Sequence, residues 1–134
     1  GSVIVAIILG TIITISVQSS SITTSVLVPL AASGVLTLEN IYPVTLGANV
    51  GTTVTALLAS LATGNPAAVT VAIVHTLFNI SGILVFYPLK ALRRIPVRLA
   101  TGLSYLAAER RTTAVAYAIG MFVVVPLVGV LLLR

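Results

Sequence analysis

The chain contains no cysteine, and only 7% of its 134 residues are charged. Without thiols there is no disulfide scaffold, no thiol nucleophile and no thiolate metal site. The scarcity of charge excludes an ordinary water-soluble domain, in which roughly a quarter of residues are charged. Carboxylates are rarer still, with Glu39 and Glu109 alone, and His75 is the single histidine. No acid/base pair and no nucleophilic triad can be assembled from that inventory, so the chain does not read as an enzyme.

What remains is apolar: 58% hydrophobic residues and a mean hydropathy of +1.22. Glu39 is the only charged side chain ahead of Lys90, so everything before Lys90 must be solvated by lipid or by protein. The basic residues Lys90, Arg93, Arg94, Arg98, Arg110 and Arg111 fall in one connecting region between apolar runs, and the net charge is +5. By the positive-inside rule that region faces the cytoplasm and anionic lipid, in a plasma membrane or a bacterial inner membrane. A nucleic-acid partner is not expected, because no basic helix is interleaved with exposed aromatics. Gly1-Ser2 in place of an initiator Met reads as the remnant of a cleaved expression tag on a chain excised from something longer or engineered. Val3 onward lacks the basic start and cleavage site of a signal peptide and reads as structure.

The first apolar run, Val3 to Val17, would be about 22 Å long as a helix, too short for a hydrocarbon core of about 30 Å. Carried through Gln18-Ser19-Ser20-Ser21 and Thr23-Thr24-Ser25 to Leu38, one helix would reach about 54 Å. A re-entrant hairpin over residues 3–38, with its polar tip near the midplane, fits better. After a turn at Glu39-Asn40, residues 41–62 can span, at about 33 Å, but read as broken at Gly47-Ala48-Asn49-Val50-Gly51-Thr52-Thr53. Thr63-Gly64-Asn65-Pro66 is a turn, because Gly and Asn tolerate positive φ and Pro starts the next helix. A second span over 67–87 ends at Pro88, residues 89–111 form a basic amphipathic interfacial segment, and 112–133 form a third span. Gly120, Pro126 and Gly129 in that last span predict close packing or a kink. The fold is therefore an all-α multi-pass membrane protein. A hairpin plus three spans puts the termini on opposite sides, with the hairpin open to the cytoplasm, as in one inverted-repeat unit.

The polar breaks carry the functional reading. Non-helical backbone at membrane depth must be buried in protein or line a polar cavity. The free N–H groups that start a half-helix suit an anion, and the last carbonyls of the preceding half suit a cation. The hydroxyls of Ser19, Ser20 and Ser21 can donate to phosphate oxygens or offer lone pairs to a hard cation. Asn49 presents a carbonyl oxygen, and Gly47 and Gly51 allow close backbone approach. Neutral oxygen ligands without a carboxylate favour a monovalent cation such as sodium over calcium or zinc. Isolated Thr11, Thr14 and Thr70 are expected only to bond i−4 carbonyls or to glue helices. His75 is expected to bond Asn79 one turn later.

Together, Gln18-Ser19-Ser20-Ser21, the run from Tyr42 to Thr53, the run His75-Thr76-Leu77-Phe78-Asn79-Ile80-Ser81-Gly82 and Arg94-Ile95-Pro96-Val97-Arg98 resemble the second repeat of the type II sodium/phosphate cotransporter family. The likeness runs from about Gln18 to Tyr117. It implies two inverted repeats, each with a QSSS hairpin, enclosing inorganic phosphate and sodium between their tips. Gln18, Ser19, Ser20 and Ser21 would then contact phosphate, and Ser19, Ser20, Asn49, Thr52 and Thr53 would hold sodium. The resemblance further implies sodium as the coupling ion, and no other cofactor or metal is expected. Only one repeat is present, so the partner is a second repeat or a second copy in an inverted homodimer. The homodimer is favoured, because orphan polar breaks in lipid would cost several kcal/mol per unsatisfied group, although the basic region, which should fix one orientation, argues against it. Two alternatives compete. One is a non-transporting membrane subunit whose breaks only pair with a partner chain. The other is a water channel, hinted at by Asn65-Pro66-Ala67, but that architecture needs paired half-helices and an Arg that this segment lacks.

Overall fold

The computed structural model describes residues 2–133. Gly1 of the tag-like start and Arg134, read as the residue just beyond the last span, lie outside the described residues. The described chain is helical throughout, without strands: α1 (Val3–Val17), α2 (Ser20–Ala32), α3 (Leu38–Ala62), α4 (Pro66–Phe86), α5 (Lys90–Glu109), α6 (Arg111–Ile119), a π-helical turn (Gly120–Val124) and α7 (Val125–Leu132). Among the described residues, three runs are long and apolar enough to cross a membrane: Leu38–Ala62, Pro66–Phe86 and Arg111–Leu132. α1 and α2, of 15 and 13 residues, are too short.

Local chemistry fixes the turns. Gln18 ends α1 in the left-handed region at φ 56°, and Ser19 starts α2 as its N-cap. α2 stops at Ser33, whose N–H donates to the Pro29 carbonyl, and Gly34 follows at φ 75°. Thr37 then caps α3, its Oγ1 accepting the Asn40 N–H at 3.3 Å. The expected turn at Glu39-Asn40 is thus displaced to 33–37, because Gly34 supplies the positive φ and Thr37 the cap. Glu39 falls instead in the first turn of α3, where a negative charge meets the positive helix end. The next turn is as read from the sequence: Gly64 has φ 65°, Asn65 Oδ1 accepts the Ala67 N–H at 2.9 Å, and Pro66 occupies the first turn of α4.

The expected break at residues 47–53 is absent, since α3 is one α-helix from Leu38 to Ala62. The two glycines serve packing instead. A Cβ on Gly47 would overlap the Ile7 carbonyl, and one on Gly10 would overlap the Val44 carbonyl. A Cβ on Gly51 would stand 2.7 Å from the Thr14 Cβ. Gly47-x-x-x-Gly51 on α3 and Gly10-x-x-x-Thr14 on α1 are therefore facing small-residue stripes that bring two backbones together. Ile7 meets Gly47 while Thr14 meets Gly51, so α1 and α3 run in the same sense, as a hairpin arm and the span after it must. Thr11 Oγ1 seals the contact, donating to Ile7 O at 2.9 Å and Gly47 O at 3.0 Å.

A first compact unit ends at Arg93 and a second begins at Arg94. In the first, α3 is central, touching α1, α2 and α4. Its interior is small and polar, with Thr14 and Thr53 the largest fully enclosed side chains, while Ile4, Ile12, Val28, Val71 and Phe78 point outward. That inversion of a water-soluble core suits a lipid solvent, in which close backbone packing holds helices together. Tyr87, just after α4, stacks on Tyr42 with ring centroids 6.4 Å apart, and the Arg93 guanidinium lies 5.0 Å over the Tyr87 ring. A cation–π contact thus ties the first turn of α5 to the neighbouring ends of α3 and α4. In the second unit the last span carries a π-helical turn at Gly120–Val124, where the Val125 N–H reaches back to the Gly120 carbonyl ahead of Pro126, which lacks an N–H. The close packing expected of Gly120 and Gly129 is absent among the described residues, since a Cβ on either meets nothing within 4 Å.

Candidate functional site at the hairpin tip

The α1–α2 turn places two opposite partial charges side by side. The last carbonyls of α1 and the first amides of α2 leave the helices at the same tip, around Gln18 and Ser19. A left-handed Gln costs about 1–2 kcal/mol that a glycine would avoid, so a side chain is retained there despite strain. Ser19 is extended (φ −152°, ψ 111°) and its Oγ accepts the Ile22 N–H at 3.3 Å, while its carbonyl accepts from the Thr23 N–H and from Thr23 Oγ1 at 3.1 Å. The Ser20 and Ser21 amides then have no acceptor among the described residues. The Ser20 and Ser21 carbonyls are taken by Thr24 Oγ1, at 2.9 and 3.2 Å. Gln18 and Ser21 are exposed and Ser19 and Ser20 half-buried, so the tip presents two free amides, three hydroxyls and one carboxamide to whatever faces it.

A buried hydroxyl pair holds the two arms in register below the tip. Thr14 Oγ1 donates to Thr23 Oγ1 at 2.9 Å, and both residues are buried. Thr14 also packs against Gly51, so a relay of Ser19, Thr23, Thr14 and Gly51 fixes the tip to α3. Sequence reading treated Thr14 as helix glue, which is its role, but placed Thr23 only within a polar run. Thr23→Val is expected to destabilise the hairpin more than Thr14→Val, since it removes both hydroxyl bonds. A double-mutant cycle on unfolding in detergent should give a coupling of about 0.6 kcal/mol, and up to ~1.7.

Asn49, Thr52 and Thr53 sit elsewhere on α3. Helical periodicity sets them together on the face opposite Gly47 and Gly51, and no hydrogen bond joins them to the tip among the described residues. Asn49 is exposed and its carbonyl accepts from Asn79 Nδ2 at 3.2 Å. Asn79 therefore turns to α3 instead of to His75, because the adjacent helix offers it a carbonyl. Thr52 Oγ1 donates to Ala48 O at 3.1 Å, and Thr53 Oγ1 to Val50 O at 2.8 Å. Each hydroxyl keeps lone pairs for a cation, but Thr53 is fully enclosed. The tip residues are thus brought together in this chain, and the α3 trio forms a second polar face.

Comparison with known proteins identifies the family. A sequence profile described as Na+/Pi-cotransporter matches residues 1–124. Sodium-dependent phosphate transport protein 2B from Homo sapiens is 49% identical over 125 residues, covering 91% of this chain and 18% of that protein. The 2A protein from Oryctolagus cuniculus is 44% identical over 124 residues, covering 90% of this chain and 19% of its own length. The relatives are named as transport proteins, not enzymes, and the chain spans less than a fifth of their length. No solved structure matches significantly. With most of its length matched, the chain belongs to the Na+/Pi-cotransporter family.

Proposed function

We infer that this chain supplies one repeat of a sodium-coupled transporter of inorganic phosphate, with Gln18, Ser19, Ser20 and Ser21 meeting the anion. The single observation that carries this reading is the tip itself, where two unpaired amides open α2 beside the terminal carbonyls of α1. An amide-rich helix start attracts phosphate, and a carbonyl-rich helix end attracts sodium, so one turn can hold both charges in partial compensation. Ser19 and Ser20 lie where the two meet and serve both ions. Asn49 and Thr52 are the accessible cation ligands on α3, with Thr53 enclosed behind them. Because this trio occupies a different face from the tip-bearing arm, its shell is completed by groups beyond this chain: a second repeat or an inverted second copy.

Reconstitution into liposomes tests the reading. Sodium-gradient-driven uptake of radiolabelled phosphate, by the chain alone or with a second repeat, is the expected outcome. Protein that is folded and paired yet neither binds nor transports either ion would make it a non-transporting subunit.

A further inference from the structure

The residues assigned to the tip and α3 leave α5 unused, and α5 is the most segregated helix in the chain. Leu92, Ile95, Leu99, Leu103 and Leu106 fall within one narrow arc, Lys90, Arg93 and Arg94 occupy the other side, and Arg98 flanks the arc beside Ile95. No residue of α5 is buried, and Leu99 is 69% exposed. Exposed leucines on a helix with that much positive charge indicate an amphipathic element on an anionic bilayer surface.

The second unit adds a cavity. A groove of about 750 Å³ runs between α5 and the first half of the last span, lined by Leu99, Leu103 and Leu106 on one side and Tyr117 and Met121 on the other. Arg98 lines the same groove. An apolar wedge facing a span, with an arginine among its lining residues, has the two recognition elements of a phospholipid: hydrocarbon for an acyl chain and a side chain able to donate two hydrogen bonds to a phosphate.

We propose that this groove is a binding site for one anionic glycerophospholipid, its acyl chain between α5 and the last span and its phosphate on Arg98. A discrete site predicts an anionic preference that Arg98→Gln reduces and Arg94→Gln leaves in place, whereas anionic lipid gathered by the general positive charge of α5 loses preference equally with either substitution. The chain has no tryptophan, so Leu99→Trp creates a single reporter inside the groove. The protein, reconstituted in phosphatidylcholine, is doped with brominated-chain phosphatidylglycerol or brominated-chain phosphatidylcholine at equal mole fraction. The site predicts stronger quenching by the phosphatidylglycerol. Adding Arg98→Gln should reduce that preference by about fivefold, the effect of one interfacial basic residue. A tryptophan at Leu131, on the same span away from the groove, should be quenched equally by both lipids. Leu103→Trp provides a second reporter should the first variant fold poorly. Equal quenching by the two lipids at both groove positions, or a preference that survives Arg98→Gln or falls equally with Arg94→Gln, overturns the proposal.

Discussion

Gly47→Ala is expected to separate α1 from α3, with a loss of about 3 kcal/mol or more, at the upper end of what overpacking costs. The added methyl would occupy the space of the Ile7 carbonyl, a backbone atom that cannot rotate aside. The helices must move apart, and the bond from Thr11 Oγ1 to the Gly47 carbonyl at 3.0 Å goes with the contact. Gly10→Ala should behave alike through the Val44 carbonyl. Gly82→Ala is the control, because a Cβ there meets nothing within 4 Å and alanine is the better helix former, by up to about 1 kcal/mol. Unfolding midpoints in detergent distinguish the cases. Equal stabilities for Gly47→Ala and Gly82→Ala would mean that 47–51 is not a packing stripe.

The second large effect is at Ser20. Ser20→Ala keeps the amide and removes only a hydroxyl. A hydrogen bond to a charged group is worth about 1.5–3 kcal/mol, so phosphate affinity should fall about tenfold or more. Ser20→Pro goes further. Ser20 is the first helical residue of α2, where proline is favoured, and Ser19 is already extended as a residue before proline must be. The helix start is therefore preserved while both the free amide and the hydroxyl disappear, and the loss should exceed that of alanine. Thr70→Ala is the reference, since Thr70 Oγ1 only donates to Pro66 O at 2.9 Å on an exposed turn. Binding isotherms for phosphate in sodium-containing buffer measure all three variants. Equal small effects at Ser20 and Thr70 would reduce the tip to ordinary helix packing.

Much of this molecule is legible in its residues, and the exceptions share a cause. The short run Val3 to Val17 and the polar Gln18-to-Ser21 turn predict an interrupted element, which is what α1, α2 and their turn form. Thr63-Gly64-Asn65-Pro66 is equally readable, because its turn chemistry is local. Gly47 to Thr53 misleads because glycine spacing is ambiguous in an apolar segment. The same G-x-x-x-G pattern marks an unwound segment or a close helix contact, and only the opposing Gly10 and Thr14 on α1 decide between them. Asn79 misleads for a related reason. Its i−4 neighbour His75 is the local partner, yet the carbonyl of Asn49 on α3 is the one it reaches. The position of Thr52 and Thr53 relative to the tip follows from which face of α3 meets α1, and linear spacing carries no such information.

Phosphate held by the opening amides of α2, as proposed, would lie within a few bonds' length of the Ser20 and Ser21 nitrogens. Solid-state NMR measures this directly, through the dipolar coupling between phosphate phosphorus and serine amide nitrogens in the lipid-reconstituted protein with sodium present. The account predicts strong coupling to the Ser20 and Ser21 nitrogens, lost when sodium is replaced by potassium. Bound phosphate with no coupling to either nitrogen, or coupling only to arginine side chains, would contradict it.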